Sequence, residues 1–244
     1  MKICLAQSHS VKGNIDENIK NHIELIKHAI NLQTDMVMFP ELSITGYEPQ
    51  LVNDLAVSVD SQLFIPFQQL ADENNIVIGI GVPIKIANGM NISTLIFQPN
   101  KKRDVYAKQI LHADELPYFV VGQDQLFLNF NGTKIALGIC YETLQREHFL
   151  NASENKADIY IASVAKPDQG IKKAQSYFPP IAEEFKTPVL MVNCVGYCDN
   201  FLSVGQSSVW NKSGDQIKQL DSTSQALLLY DTEKESAHHV IQVM

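Results

Sequence analysis

Apolar residues along this chain follow two periods, and the switching between them outlines most of the fold. Residues 2–7 form an apolar run that reads as a strand. Between residues 14 and 32, Ile15, Ile19, Ile23, Ile26 and Ile30 recur at helical spacing, with Asn14 or Asp16 as the cap. Met36 to Phe39 is a short buried strand stopped by Pro40. A second helix is predicted over residues 61–75, broken or begun near Pro66, followed by strands at 76–82, 92–98, 103–107, 125–130 and 133–139. Asn131-Gly132, between the last two, is the strongest short hairpin signal a sequence offers. Residues 144–154 read as helix and 158–164 as strand. Helix is expected again at 171–185, where Pro179-Pro180 must interrupt or restart it. Strands follow at 188–194, 203–210, 216–220 and 225–231, with Asn211 to Gly214 as a turn. Early helices, strands throughout and interleaved hairpins indicate layered α/β with mixed sheets.

Composition narrows the class. At 244 residues, without a linker, a composition break or a fixed-period repeat, residues 1–244 are expected to form one domain. The hydrophobic share of 45% and charged share of 19% are ordinary for a soluble protein. A net charge of −8 argues against a nucleic-acid partner, and the lone basic run Lys101-Lys102-Arg103 reads as decoration of a turn. No apolar stretch is long enough for a membrane span, and the N-terminus lacks the apolar region of a signal peptide. The expectation is a cytoplasmic protein without a membrane partner. Cys4 reads as a buried small hydrophobe; Cys194 and Cys198 lack a second ligand pair and read as core or turn residues. His238-His239 reads as a tail feature. With neither G-x-G-x-x-G nor a Walker A pattern, no cofactor is expected, and no metal.

Three strand ends carry chemistry. Cys140 closes the run Thr133 to Ile139 and opens a polar one. Glu41 follows Pro40 directly, and Lys108 ends the strand through Val105-Tyr106-Ala107. A charged residue at one strand end is ordinarily the first solvated side chain. A carboxylate, a cation and a thiol together are chemically complete for covalent catalysis, because a thiol becomes a strong nucleophile once a neighbour takes its proton.

These blocks carry a family resemblance. Phe39-Pro40-Glu41-Leu42, Tyr106-x-Lys108 and Gly138-Ile139-Cys140-Tyr141-Glu142 resemble, in order, the three signature blocks of the nitrilase superfamily, the carbon–nitrogen hydrolases. Asn193-x-x-Gly196 and the segment Gly205 to Asp215 resemble its later blocks. The resemblance implies a four-layer α-β-β-α sandwich, a homo-oligomer (dimer or larger), and a triad of Glu41, Lys108 and Cys140. Glu115 falls near a second family glutamate that orients the lysine and substrate. The chain departs from the family after the nucleophile, where many members read Tyr-Asp-x-Arg-Phe-Pro-Glu. Glu142 here replaces the aspartate, while Leu144, Gln145 and Arg146 stand for the arginine, phenylalanine and proline. The resemblance therefore does not by itself imply the family's tight turn or arginine ion pair here, nor any substrate from this segment.

The implied reaction is hydrolysis of the C–N bond of a small linear amide through a cysteine thioester, releasing ammonia and a carboxylic acid. An ω-amide of a dicarboxylic acid is one such substrate. An N-carbamoyl compound is the alternative substrate, and an inactive binding or scaffold protein the alternative class. A Cys-His hydrolase would need His112 or His148 beside Cys140. Opposite charges are expected to keep Glu41 and Lys108 ionised, and the cation to lower the thiol's pKa. Tyr47, Tyr141 and Glu142, with Glu115, are expected to contact substrate, and Tyr118 and Phe119 to wall the mouth. Lys166 or Arg146 could meet a substrate carboxylate; Asn193 and Gly196 are assigned to backbone geometry.

Overall fold

Ile3 and Leu5 of the first strand point into one core, while Cys4 and Ala6 point into another. That alternation is what a strand needs when a second sheet covers one face and helices cover the other. The computed structural model describes residues 1–242. In its first half, β1 (Lys2–Gln7), α1 (Ile15–Asn31), β2 (Met36–Met38), α2 (Val52–Leu55), α3 (Ile65–Asn74), β3 (Val77–Ile86), β4 (Gly89–Phe97) and β5 (Asp104–Ala107) follow one another. Next come β6 (Phe127–Phe130), β7 (Thr133–Ile139), α4 (Arg146–Glu154), β8 (Ile159–Val164), α5 (Asp168–Phe185) and β9 (Val189–Asn193). The chain continues through β10 (Val195–Cys198), β11 (Phe201–Val204), β12 (Ser208–Trp210), β13 (Gln216–Gln219), β14 (Ala226–Asp231) and β15 (Ser236–Gln242).

Two mixed sheets result. The seven-stranded sheet runs β15-β14-β1-β2-β3-β4-β5 and the six-stranded sheet β13-β12-β9-β8-β7-β6, with β10 and β11 as a separate hairpin. Each sheet has a parallel centre, β1-β2-β3 in one and β7-β8-β9 in the other, flanked by antiparallel strands. Parallel neighbours need crossovers, and helices α1, α3, α4 and α5 supply them. Three apolar clusters fill the interfaces. One lies between the sheets, one joins α1 and α3 to the first sheet, and one joins α4 and α5 to the second. This is the expected α-β-β-α sandwich.

Most predicted elements are present within a few residues. Asn131 and Gly132 both take positive φ, 49° and 77°, joining β6 to β7 as a two-residue hairpin requires. The structure departs from expectation where tertiary context competes with local signals. Helix α5 runs unbroken through Pro179-Pro180, because Ile171, Ala174, Phe178, Ile181 and Ala182 bury one continuous face. The two missing N–H groups face half-buried Gln175 and exposed Ser176, where water can meet the freed carbonyls. The strand expected at 203–210 splits, since Gly205 and Gln206 take φ of 52° and 57° and cannot stay extended. β15, carrying His238 and His239 opposite Leu229 and Leu228, is an edge strand rather than a tail. Arg103 is no turn decoration: its guanidinium donates to the Val59 and Ser61 carbonyls and lies over Phe64 and Phe97. No helix among the described residues is long and apolar enough to cross a membrane.

Candidate active site

Glu41 leaves the carboxyl end of β2 and Cys140 that of β7, both in the parallel centres of their sheets, where ligand sites of α/β folds concentrate. The loop bearing Glu41 is held from several sides. His22 stacks on Phe39 at 4.0 Å and its Nε2 meets Ser43 Oγ at 2.9 Å. Burial pushes this histidine down to about 3, so it works as a neutral packing group. Gly81 of β3 lies directly under the loop: a Cβ there would sit 2.2 Å from the Pro40 oxygen and 2.4 Å from the Leu42 nitrogen. Ser163 of β8 donates to the Phe39 carbonyl at 2.8 Å, tying the first sheet to the second.

Lys108 is fixed as β5 ends: its N–H donates to the Ile92 carbonyl and its own carbonyl accepts from Gly122. Its side chain is fully buried between two carboxylates, with Nζ 2.7 Å from Glu41 Oε1 and 2.6 Å from Glu115 Oε1. Glu115 is oriented in turn by the Tyr47 hydroxyl at 2.9 Å and the His112 N–H at 2.7 Å. The other Glu41 oxygen, Oε2, is buried without a hydrogen-bond partner. Cys140 takes φ of 48°, a strained value for a non-glycine residue, and begins a short 3₁₀ turn through Leu144. The turn closes without the family's proline, through the Gln145 N–H to the Glu142 carbonyl at 3.0 Å.

Glu142, expected to contact substrate, is fully buried and does not line the cavity onto which Cys140 opens. Its buried Oε1 accepts from Tyr106 at 2.5 Å and from the Ile139 N–H at 2.7 Å, and its Oε2 from the Gln109 and Ile110 N–H groups. It thereby clamps the strand of Lys108 to the turn of Cys140. His148 belongs to the same network. The Gln125 amide can only donate to its Nδ1, so Nε2 carries a proton toward Tyr106. Burial holds His148 down at about 4. His112 pairs with Asp114 at 2.5 Å, and Cys140 Sγ donates to the Ala165 carbonyl at 3.7 Å. No histidine among the described residues bonds the thiol.

The charge states differ from expectation. Burial pushes the Cys140 thiol up to about 12, the Glu41 charge adds to the rise, and Lys166 and Lys108 oppose it. The cation does not produce a thiolate at rest. Burial also raises Glu41 to about 7 against the pull of Lys108, leaving it part-protonated near neutrality. Burial works against the Lys108 charge, but the Glu41 and Glu115 carboxylates overcome it and raise its pKa.

A cavity of ≈ 530 Å³ opens onto Cys140, with Tyr47, Glu115, Tyr141, Leu144, Lys166 and Phe201 among its lining. Glu41 and Lys108 are buried, and the charges of both act on the Cys140 thiol. Tyr118 and Phe119 pack into the inter-sheet core instead of walling the mouth; Phe201 of the β10–β11 hairpin, tilted against Tyr47 at 5.6 Å, does so. Sequence reasoning missed Phe201 because nothing local brings a residue so distant in the chain to this wall. Arg146 turns away, pairing with Glu184 and lying over Phe185 on α5. Cys194 and Cys198 are buried, their sulfurs 3.7 Å apart.

A four-layer fold with a buried carboxylate and ammonium behind a thiol that faces a cavity defines the class. The chain belongs to the carbon–nitrogen hydrolase family, whose sequence model matches residues 2–241, and thus to the nitrilase superfamily. Among curated relatives it is 26% identical over 236 residues to the glutamine-dependent NAD(+) synthetase of Acinetobacter baylyi, covering 93% of this chain and 43% of that one. It is 24% identical to the "hydrolase in agr operon" of Staphylococcus aureus, covering 93% and 89%. The chain thus spans less than half the length of the first of these relatives. Among solved structures, the NitN amidase of Nesterenkonia superposes with a TM-score of 0.86 at 20% identity, covering 95% of this chain and 92% of that one. At that identity the match speaks for the fold.

Proposed function

We propose that this chain hydrolyses the C–N bond of a small amide through a thioester on Cys140. The observation that carries this reading is the lysine bound at once by two buried carboxylates, below a cavity that opens onto a thiol at a strained turn. Because the thiol rests neutral, attack and deprotonation are coupled. Sγ adds to the amide carbon as Glu41 takes its proton, and Lys108 Nζ with the Tyr141 backbone N–H steadies the developing oxyanion. Glu41 then returns the proton to the departing nitrogen, leaving the acyl group on sulfur and releasing ammonia. Water enters, gives a proton to Glu41 and attacks the thioester; collapse frees the acid and restores the thiol. Glu115 holds Lys108 in place and, with Tyr47, borders the substrate.

The relatives named for glutamine or for an amidase make primary amides the first substrates to try. Ammonia release from simple amides, glutamine, N-carbamoyl amino acids and nitriles, with Cys140→Ala as control, tests the reading. Release from amides by the wild type and none by Cys140→Ala is expected. An inactive wild type with an alkylation-resistant thiol favours the scaffold alternative.

A further inference from the structure

Lys166 stands out among the cations at this site. It follows the carboxyl end of β8, is only 5% exposed, and lines the same cavity as Cys140. Among the described residues its Nζ makes neither an ion pair nor a hydrogen bond. The nearby carboxylates cannot serve it, since Glu41 and Glu115 share Lys108, and Asp114 pairs with His112 at the rim. Nζ therefore meets the cavity as a cation without a protein counter-ion, a position a ligand carboxylate can fill.

The position is also built. Asn193 Oδ1 accepts from the Lys166 N–H at 2.8 Å and its Nδ2 donates to the Lys166 carbonyl at 3.1 Å. The Val204 N–H donates to that same carbonyl at 3.3 Å. Three hydrogen bonds from two elements thus fix the backbone of a residue whose side chain is left unpaired, as expected for a preorganised binding group. Its neighbour Ala165 supplies the carbonyl against the Cys140 sulfur, which places the cation close to the reacting centre.

We propose that Lys166 anchors a carboxylate on the acyl chain of the substrate, making the cavity selective for small amides whose far end is anionic. The proposal rests on the amide-hydrolase reading and names its substrate class. Glutaramate and pentanamide share a five-carbon amide chain and differ in the terminal charge, so they separate this role from any action of Lys166 on the thiolate. In Lys166→Met, kcat/KM for glutaramate should fall tenfold to a hundredfold further than for pentanamide, mainly through KM, the range for one hydrogen bond to a charged group. Lys166→Arg should recover part of the difference. Equal losses on both substrates, or a wild type that prefers pentanamide, would overturn the proposal. Calorimetry of glutarate on Cys140→Ala reads the anion site without turnover: binding is expected, and its loss on adding Lys166→Met. Pentanamide hydrolysed but glutarate not bound removes the anchor alone. Glutarate bound through Lys166 with no amide hydrolysed keeps the anion site and removes the hydrolase reading.

Discussion

Lys108 meets both carboxylates at hydrogen-bond distance with no water between them, so its removal has two consequences. Lys108→Ala should lower kcat/KM by about 10²–10³, the usual loss for one oxyanion stabiliser. It should also cost about 3–5 kcal/mol of stability, because Glu41 and Glu115 then lie buried without the cation they share. Amide assays and urea denaturation check the two effects separately. A folded Lys108→Ala protein with most of its activity would remove the lysine from the mechanism. Glu41 also sets a pH dependence whose sign differs for rate and for stability. In the proposed mechanism Glu41 is the base and must be ionised, so kcat/KM should drop tenfold per unit of pH below about 7. Its folded pKa lies above the ordinary 4.5, so the folded state holds the proton more tightly. Its contribution to stability is therefore full below 4.5 and lost as pH rises through about 7. Denaturation in Glu41→Gln, which cannot titrate, should lack that component.

Strands and turns carry these groups, and the strand beneath Glu41 is the most demanding. Gly81→Ala would press a Cβ against the Pro40 carbonyl and the Leu42 nitrogen, both backbone atoms that cannot swing aside. The expected result is a destabilisation of about 1–3 kcal/mol and an activity loss out of proportion to it, since Glu41 lies between those two residues. Thermal melts with kinetics on the same preparation test this; unaltered kcat would mean the loop relaxes without moving the carboxylate. The elements also show where sequence reading succeeds. Asn131-Gly132 and the isoleucine ladder of α1 depend on neighbours within a few residues, and they were legible. Pro179-Pro180 misled because the cost of two prolines is local, whereas the burial that outweighs it lies on the second sheet. The stretch 203–210 misled because Gly205 turns the chain to fit against Gln7, some two hundred residues away.

Between the two sheets, the site depends on ties that cross from one to the other. Tyr106 reaches Glu142, and Ser163 reaches the Phe39 carbonyl. Tyr106→Phe strips one partner from a buried carboxylate and should cost about 1–3 kcal/mol. It should also lower kcat, because the strand of Lys108 loses its hold on the turn of Cys140; denaturation and steady-state kinetics read the two. A loss of stability with kcat unchanged would make the tie purely structural.

The strand-end positions of Glu41, Lys108 and Cys140, the layered class and the family were legible from the chain, because a strand end, a proline stop and a motif are short-range features that survive without coordinates. The role of Glu142, the part taken by Phe201, the unpaired state of Lys166 and the neutral resting thiol were not. Each depends on what lies across the gap between two sheets, and burial and electrostatic balance exist only once distant segments have come together.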